Sequence, residues 1–391
     1  MKLQVRLDRP GCARGRYSVK AKGYMIAILG WADAKGRLSG WSPFAYVPID
    51  PYGNGEFSFE GNRAIPAEAT HVHARCIRAD FTGFEELLAK IPESFAAEPL
   101  ERGNQQANQV RISVLSDMHL ASKPWRIRRA LKMTESNIIC LVGDSVNDGT
   151  AGQFEELMKC VDAAAGDKAV FPVIGNHDIL SPTLSMHEDG RRNYTDFHNK
   201  LTDRLKELGV KIESGRTDLA YAADVAGLDI IGLQCVVSGR RFLFPEGNQT
   251  DWLEGRLEQH REAAWHIILC HAPLLAHNPN RNEGTPYLDR NKRLQEIVEK
   301  YGNIIFISGH THVSPNVTRG CVEYDAGRNI IYINSGSVVT TSLERERGLM
   351  DPGWADGCVT ELSISDTEVE ISMRSVEDGL RFPRGYYRRI W

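Results

Sequence analysis

The chain has 391 residues, which is too long for one ordinary hydrophobic core and indicates two or three domains. Hydrophobic residues make up 42% of the chain and charged residues 25%, so a disordered or fibrous protein is excluded. The net charge of -4 lacks the broad basic field of a protein that grips nucleic acid, and we expect a small-molecule partner instead.

Signals for membrane insertion and for disulfide bonding are weak. The N-terminal residues have no apolar core of a signal peptide, and no apolar run approaches the ~18 residues of a membrane span. The eight cysteines form no CxxC pair, and several fall inside apolar runs such as NIIC and HIILC. These features predict buried thiols in a reducing compartment, and therefore a cytoplasmic protein with no membrane segment. The sequence does not indicate an oligomeric state.

Residues 1–82 alternate between short apolar bursts and turn signals. The bursts include YMIAILGWA, FAYVPID and GEFSFEG, and Gly- and Pro-containing segments such as DPYGNG separate them. Period-two alternation rich in aromatic and β-branched residues predicts an N-terminal antiparallel β-sandwich domain. Residues 83–109 are polar apart from the helical pattern FEELLAKI, and we interpret them as a linker.

Residues 110–391 show a different pattern, in which apolar runs alternate with amphipathic segments. The runs are VRISVLSD, NIICLVGD, AVFPVIGN, DIIGLQCVV, WHIILCH and NIIFISGH, and helical patterns such as GQFEELMKCVDAAAG lie between them. This alternation predicts an α/β domain in which helices flank a sheet. The alternating segment CVTELSISDTEVEISMRSV predicts a closing β-hairpin, and the tail RFPRGYYRRIW follows it.

Five of the apolar runs end in residues that can bind metal ions. Ligands gather beyond the carboxyl ends of strands in open α/β sheets, so we expect these ends to converge on one site. One Asp after a strand is more often a turn or capping residue, and a lone His is more often structural, so the prediction depends on the convergence. The candidate metal ligands are Asp117, His119, Asp144, Asn176, His271, His310 and His312.

The order of these motifs, D-x-H, G-D, G-N-H-D, H and G-H-x-H, resembles that of the calcineurin-like metallophosphoesterase superfamily. The resemblance covers roughly residues 110–345. It implies a four-layer α/β/β/α sandwich and a hydrolase that uses two divalent metal ions to cleave phosphoesters. Mixed oxygen and imidazole ligation fits manganese, iron or zinc better than calcium or magnesium.

The resemblance further implies how the candidate ligands divide between the two ions. One ion would be held by Asp117, His119, Asp144 and His312. The other would be held by Asp144, Asn176, His271 and His310. Asp144 would bridge the ions, with one carboxylate oxygen facing each, because two nearby cations need a shared anion.

The catalytic residues implied by the resemblance are His177 and Asp178. A hydroxide that bridges the metals would attack phosphorus in line. His177 would stabilise the transition state or protonate the leaving oxygen, and Asp178 would orient the His177 imidazole. Asn147 stands where purple acid phosphatases carry a metal-binding tyrosine, which argues against that branch.

The substrate is less defined than the metal site. We expect a phosphomonoester or phosphodiester of a small molecule, which includes nucleotides, and two alternatives stay open: a nuclease, and a non-catalytic binding module on the same fold. Loops at the metal-bearing edge could contact substrate, although each residue there could equally belong to a solvated loop. These candidates are His187, Arg191, Arg192, Asn193, Tyr194, His277, Asn278 and Arg281.

Overall fold

The chain forms two compact units in the computed structural model, Met1–Asn108 and Gln109–Trp391. In the second unit the structure describes residues 109–390, with strand backbone alone in 236–243. The gaps are 122–123, 180–188, 216–218, 235, 239–240, 244–248, 278–291, 314, 316–320, 340–356, 366–367, 378 and 380. In the first unit it describes the backbone of the strands. The predicted linker helix therefore lies outside the described residues.

Within its described backbone, the first unit has nine strands in two sheets. They are β1 (Lys2–Arg9), β2 (Cys12–Ser18), β3 (Gly23–Ala32), β4 (Leu38–Trp41), β5 (Ala45–Ile49), β6 (Asn54–Glu60), β7 (His71–Arg78), β8 (Glu98–Pro99) and β9 (Glu101–Arg102). One sheet has the order β6-β2-β1-β9, and the other has the order β4-β3-β7-β8 with β5 paired to β3. Pairing is antiparallel except between β1 and β9. Whether the sheets pack as the predicted sandwich depends on side chains outside the described residues.

One half of the second unit is a six-stranded sheet. Its strands are β10 (Val110–Leu115), β11 (Ile138–Val142), β12 (Ala169–Val173), β22 (Cys358–Ser365), β23 (Glu368–Ser375) and β24 (Arg381–Ile390). The order is β12-β11-β10-β22-β23-β24, with the first three strands parallel and the last three antiparallel. The predicted closing hairpin is β22–β23, and the segment predicted as a tail forms a third strand beside it.

A seven-stranded sheet makes the other half of this unit. Its strands are β13 (Ile212–Ser214), β14 (Tyr221–Val225), β15 (Leu228–Gly232), β18 (Trp265–Leu269), β19 (Ile304–Ser308), β20 (Val322–Asp325) and β21 (Ile330–Asn334). The order is β13-β14-β15-β18-β19-β21-β20, and the four strands β15, β18, β19 and β21 are parallel. A separate two-stranded ribbon consists of β16 (Val236–Ser238) and β17 (Arg241–Leu243).

In the described ranges of the second unit, five α-helices connect these strands. They are α1 (Pro124–Met133), α2 (Ala151–Ala165), α3 (Gly190–Glu207), α4 (Gln249–Gln259) and α5 (Lys292–Tyr301). Helix α2 begins after Thr150, whose hydroxyl accepts a hydrogen bond from the Gln153 amide, as an N-cap residue should. In the described part of the chain, no helix combines the length and the apolar character that crossing a membrane requires.

The packing of the second unit gives four layers. Side chains from the inner faces of both sheets, such as Ile112 and Ile305, form one buried core. The outer faces carry Leu141 and Ile268, which are buried together with helical residues such as Leu157. Strands covered on both sides must be apolar on both faces, which explains the uninterrupted hydrophobic runs in the sequence. The predicted four-layer α/β/β/α architecture is confirmed.

A buried ionic cluster lies between α4 and the seven-stranded sheet. The guanidinium of Arg256 donates to Asp229 Oδ1 from Nε at 3.1 Å and from Nη2 at 2.8 Å. His266 Nδ1 lies 2.7 Å from the other oxygen of Asp229, and all three residues are buried. Burial acts to raise the pKa of Asp229, but the hydrogen bonds from His266 and Arg256 outweigh it and lower that pKa.

The cysteines in the described residues match the prediction of buried thiols. Five of them are free and buried: Cys140, Cys160, Cys270, Cys321 and Cys358. Burial raises the pKa of the Cys358 thiol to about 12, so this thiol stays protonated at neutral pH. Of the remaining three, Cys235 lies outside the described residues, and only the backbone of Cys12 and Cys76, in β2 and β7, is described.

Candidate metal centre

Five parallel strands of the two sheets end close to a candidate ligand. Strands β10, β11 and β12 end two or three residues before Asp117, Asp144 and Asn176. Strands β18 and β19 end two residues before His271 and His310. Because these carboxyl ends belong to two sheets packed face to face, loops far apart in sequence reach one edge.

Three of the candidate ligands form a first cluster at this edge. A carboxylate oxygen of Asp117 and ring nitrogens of His119 and His312 all lie within 4.8 Å of one another. The Nε2 atom of His312 is 3.0 Å from Asp117 Oδ1 and 3.0 Å from His119 Nε2. Residues 193 positions apart in sequence therefore direct ligand atoms at one point.

A second cluster lies beside the first and contains Asp144, His271 and His310. Asp144 Oδ2 is 3.3 Å from His271 Nε2, and it is also 3.8 Å from His119 Nε2 in the first cluster. Asn176 is buried, and its side-chain oxygen has no hydrogen-bond partner among the residues that the structure describes. A buried amide oxygen without a donor is rare in a folded protein and suits a metal ligand.

The two oxygens of the Asp144 carboxylate have different surroundings. Oδ1 accepts a hydrogen bond of 2.7 Å from the backbone amide of His177. Oδ2 faces His271 in one cluster and His119 in the other. Oδ2 thus lies between the two clusters, while the backbone amide of His177 holds Oδ1. The bridging role of Asp144 stays a prediction.

The loops that present these side chains adopt an unusual backbone conformation. Nine non-glycine residues in the described part of the chain have positive φ, and five of them are candidate ligands: Asp117, His119, Asp144, His310 and His312. A positive φ costs energy in residues with a Cβ, and such strain persists mainly at functional sites. The strain thus concentrates at the edge where the ligand atoms converge.

Glycines next to the ligands permit close approach between loops. Gly143 has a φ of +78°, and a Cβ added there would overlap the ring of His271. A Cβ on Gly309 would overlap the hydroxyl of Ser116 beside Asp117. The positive φ of Gly143 also favours a residue without a Cβ, whereas Gly309 is explained by its close approach to Ser116.

The charges of the site suit cation binding. Burial acts to raise the pKa of Asp117, but the nearby His312 and His271 outweigh it and lower that pKa to about 2. The pKa of Asp144 is likewise lowered against the effect of burial, chiefly by His271. Burial acts to lower the pKa of His271, yet the two carboxylates raise it to about 10. Two buried carboxylates thus favour positive charge beside them, which metal ions would supply.

His177 adjoins both clusters. Its ring meets that of His119 edge to face with 4.6 Å between centroids. Its Nδ1 atom lies 2.9 Å from the carbonyl oxygen of Asn147, which fixes the orientation of the imidazole. Asp144, His119 and His177 also form a third group of ligand atoms within 4.8 Å.

Among the described contacts, Asp178 makes none with the His177 imidazole, so the expectation that Asp178 orients this ring is corrected. Its carboxylate accepts hydrogen bonds from the backbone amides of Val146, at 3.0 Å, and Gly175, at 2.8 Å. Burial, followed by the charge of Asp144, raises the pKa of Asp178 to about 7. Asp178 therefore joins the loop after β11 to the loop after β12, and the Asn147 carbonyl holds the imidazole instead.

Several residues that support the ligand loops were not identified from the sequence. Gln234 accepts a hydrogen bond from the Ile174 amide, just before the loop that carries Asn176. Ser337 donates from its hydroxyl to the carbonyl oxygen of Asp117 at 3.0 Å. The signal that could have located Ser337 is the apolar run IIYIN, which forms β21 and leads directly into the segment SGS.

The candidate substrate contacts in the chain after the G-N-H-D motif have structural partners. Tyr194 is fully buried and donates to the side-chain oxygen of Gln234, so it belongs to the core. Asn193 donates to the carbonyl of Gly149 at 2.9 Å, and Arg192 pairs with Asp189 at 2.7 Å. These contacts place the first turn of α3 beside the loop after β11.

His277, a candidate in the loop after His271, packs onto the seven-stranded sheet. Its ring stacks on Tyr332 with centroids 3.5 Å apart, and its Nδ1 atom lies 2.9 Å from Glu323. Both partners are on the last two strands of the sheet. His277 therefore anchors its loop, while His187, Asn278 and Arg281 lie outside the described residues.

Two arginines of the last strand, β24, contact neighbouring side chains. Arg388 donates to both carboxylate oxygens of Glu368, at 2.7 and 3.1 Å. The guanidinium of Arg389 lies over the ring of Tyr324 at 4.6 Å, as in a cation–π contact. Packing within the second unit thus accounts for Arg388 and Arg389 of this segment.

Comparison with known proteins identifies the class. The family model of the calcineurin-like phosphoesterases matches residues 110–314, which is more than half of the chain. The chain therefore belongs to the calcineurin-like phosphoesterase family. Membership of this family indicates metal-dependent hydrolysis of phosphoesters in general. A search of curated protein sequences gives no match.

Similar solved structures have low sequence identity. PhoD is 10% identical over 99% of this chain and 89% of that chain, with a TM-score of 0.47. GAP50, the anchor in the inner membrane complex of Plasmodium, is 16% identical over 72% of this chain and 88% of its own, with a TM-score of 0.45. A serine/threonine phosphatase from Saccharomyces cerevisiae is 11% identical over 66% and 74%, with a TM-score of 0.28. The family assignment rests on the family model and not on these similarities.

Proposed function

We propose that the second unit hydrolyses a phosphomonoester or phosphodiester of a small molecule or nucleotide at a pair of divalent metal ions. The observation that carries the proposal is that two clusters of ligand atoms lie side by side, with Asp144 Oδ2 between them. Manganese, iron or zinc would suit this mixture of oxygen and imidazole donors.

The chemistry of the donors fits two ions. Asp117, His119 and His312 would hold one of them, and Asn176, His271 and His310 would hold the other, with Asp144 between. The buried Asn176 oxygen would gain the partner that the described residues do not give it. When bound, two such cations activate water near neutral pH and neutralise charge on the phosphoryl group.

The chain's own residues would then orient substrate and move protons. The Nδ1 atom of His177 faces the Asn147 carbonyl and is suited to donate to it, so in the imidazolium form Nε2 would carry the second proton and could give it to the leaving oxygen. Asp178 contributes indirectly, because it fixes the backbone of the two loops that carry Asp144 and Asn176. We assign His177 as the proton donor and Asp178 as a positioning residue.

An assay with two chromogenic substrates tests the activity. We expect the purified chain to hydrolyse p-nitrophenyl phosphate or bis-p-nitrophenyl phosphate when Mn²⁺ is added, and to lose the activity in excess chelator. Hydrolysis that chelator does not affect would contradict the metal mechanism. Failure to hydrolyse with Mn²⁺, Fe²⁺ or Zn²⁺ would favour the non-catalytic binding module.

Two variants separate metal binding from proton transfer. His177→Ala should lose most turnover, by about 100-fold or more, since a positioned proton donor contributes roughly that factor. It should nevertheless keep its full metal content, whereas Asp144→Ala should lose metal. Metal analysis that showed the reverse pattern would remove these two assignments.

A further inference from the structure

The two histidines of the G-H-T-H motif lie in different clusters although only one residue separates them. His312 is grouped with Asp117 and His119, whereas His310 is grouped with Asp144 and His271. In an ordinary extended strand, residues two apart point to the same side. Something other than strand geometry must therefore direct these two rings apart.

The backbone conformation shows how they diverge. His310 has a φ of +68° and His312 a φ of +52°, so the chain turns at both residues. The amide of His310 donates to the carboxylate of Asp117, with 2.9 Å to Oδ2 and 3.1 Å to Oδ1. Because positive φ is strained for residues with a Cβ, the turn needs support from its surroundings.

The residue between the histidines supplies that support. Thr311 is fully buried, and its hydroxyl donates to the side-chain oxygen of Asn334 at 2.7 Å. The same hydroxyl accepts a hydrogen bond from the amide of Val313 at 3.3 Å. Asn334 is itself buried at the end of β21, and its amide group reaches the Gly309 carbonyl at 3.4 Å. The turn is thus held by hydrogen bonds to Asn334, at the end of the neighbouring strand β21.

We propose that Thr311 and Asn334 are positioning residues that divide His310 and His312 between two metal positions. The hydrogen bond between Thr311 and Asn334 fixes the centre of the turn, and the two rings project from either side of it. This inference rests on the proposed binuclear function, and it assigns a role to two residues that are not among the candidate ligands. Groups that orient metal ligands in this way commonly change metal affinity by about 10- to 100-fold when they are lost.

The test uses Thr311→Val, which keeps the shape of the side chain and removes the hydroxyl. Calorimetric titration with Mn²⁺ should show one of the two sites weakened by about 10-fold or more, and the other site close to wild type. The electron paramagnetic resonance spectrum of a spin-coupled Mn²⁺ pair should be lost. Thr311→Ser retains the hydroxyl and should restore both the affinity and the coupled spectrum.

A control variant and a second test variant complete the experiment. Thr202→Val removes another buried threonine hydroxyl, one that donates to the Asn199 carbonyl at 3.1 Å within α3, and should leave Mn²⁺ binding unchanged. Asn334→Leu removes the acceptor from the opposite side and should reproduce the defect of Thr311→Val. It also provides the test if Thr311→Val does not fold.

The outcomes distinguish this inference from the proposed function. A wild-type chain that binds two Mn²⁺ ions, together with a Thr311→Val variant of unchanged affinity and spectrum, would overturn the inference alone. Equal weakening of both sites would also overturn it, because that result indicates general destabilisation. A wild-type chain that binds fewer than two ions would overturn the proposed function and this inference with it.

Discussion

Gln234 is a buried link between the two sheets, and replacing it should destabilise the second unit. Its side-chain oxygen accepts hydrogen bonds from the Ile174 amide at 2.9 Å and from the Tyr194 hydroxyl at 3.0 Å. Its side-chain amide donates to the Pro172 carbonyl at 3.3 Å. Gln234→Leu would retain most of the volume but remove all three interactions.

The magnitude follows from the groups left without partners. The Ile174 amide and the Tyr194 hydroxyl would each stay buried without an acceptor, at a cost of about 1–3 kcal/mol per group. The free energy of unfolding should therefore fall by about 2–6 kcal/mol. For a unit of this size, 1 kcal/mol corresponds to roughly 2–4 °C in the midpoint, so we expect a loss on the order of 10 °C.

Thermal unfolding of the full chain, followed by circular dichroism, measures this loss. The matched control is Gln295→Leu, because Gln295 makes a side-chain hydrogen bond of 2.7 Å to Glu299 on the surface of α5. That control should change stability by less than about 0.5 kcal/mol. If Gln234→Leu melts within 1–2 °C of the control, which is roughly the scatter expected of surface changes, the argument from buried partners is refuted.

Two further predictions concern the ligand loops and the ionic cluster. Gly143→Ala should lose metal binding and more stability than Gly209→Ala, because both have φ near +80° but only the first would overlap His271; equal losses would contradict this. The pKa of Asp229 is lower in the folded chain than its unfolded value of about 3.9. Asp229 therefore stabilises the fold fully above the unfolded pKa, and this stabilisation is lost as the pH falls through the folded pKa. Arg256→Met should cost about 3–5 kcal/mol at neutral pH and less on acidification; a gap from wild type that widens in thermal melts at lower pH would contradict this.

The sequence was most informative where a single motif specifies both local structure and chemistry. The parallel strands read as continuous apolar runs because they are covered on both faces, and five of them end close to a candidate ligand such as Asp117 or His310. The motifs at the ends of those runs carry the resemblance to the family, and that resemblance implies the four-layer fold; the family membership and the fold are both confirmed. Which of these side chains bind metal stays a prediction.

The contacts between loops could not be obtained from the sequence. Asp178 follows His177 directly, yet its carboxylate turns to the Val146 and Gly175 amides, since the fold brings those backbone groups to it. Likewise, nothing in the local pattern around Asn334 shows that its partner is Thr311, which lies in the loop after the adjacent strand β19. Such long-range pairs depend on strand order, which periodicity does not specify.

The strand order also explains the segment that the sequence suggested as a tail. Its aromatic and basic residues could have served nucleic-acid binding, but Arg381–Ile390 pairs antiparallel with β23 as the last strand of the six-stranded sheet. Alternation in RFPRGYYRRIW is weak, since arginine recurs on both faces. Only the pairing partner determines which of those arginines meet carboxylates.

The most direct measurement is anomalous X-ray diffraction from crystals of the full chain grown or soaked with Mn²⁺. We expect two anomalous peaks at the edge where the parallel strands end, one among Asp117, His119 and His312 and one among Asn176, His271 and His310, with Asp144 between them. A single peak, or peaks elsewhere on the molecule with this edge empty, would contradict the binuclear site and the hydrolysis proposed from it.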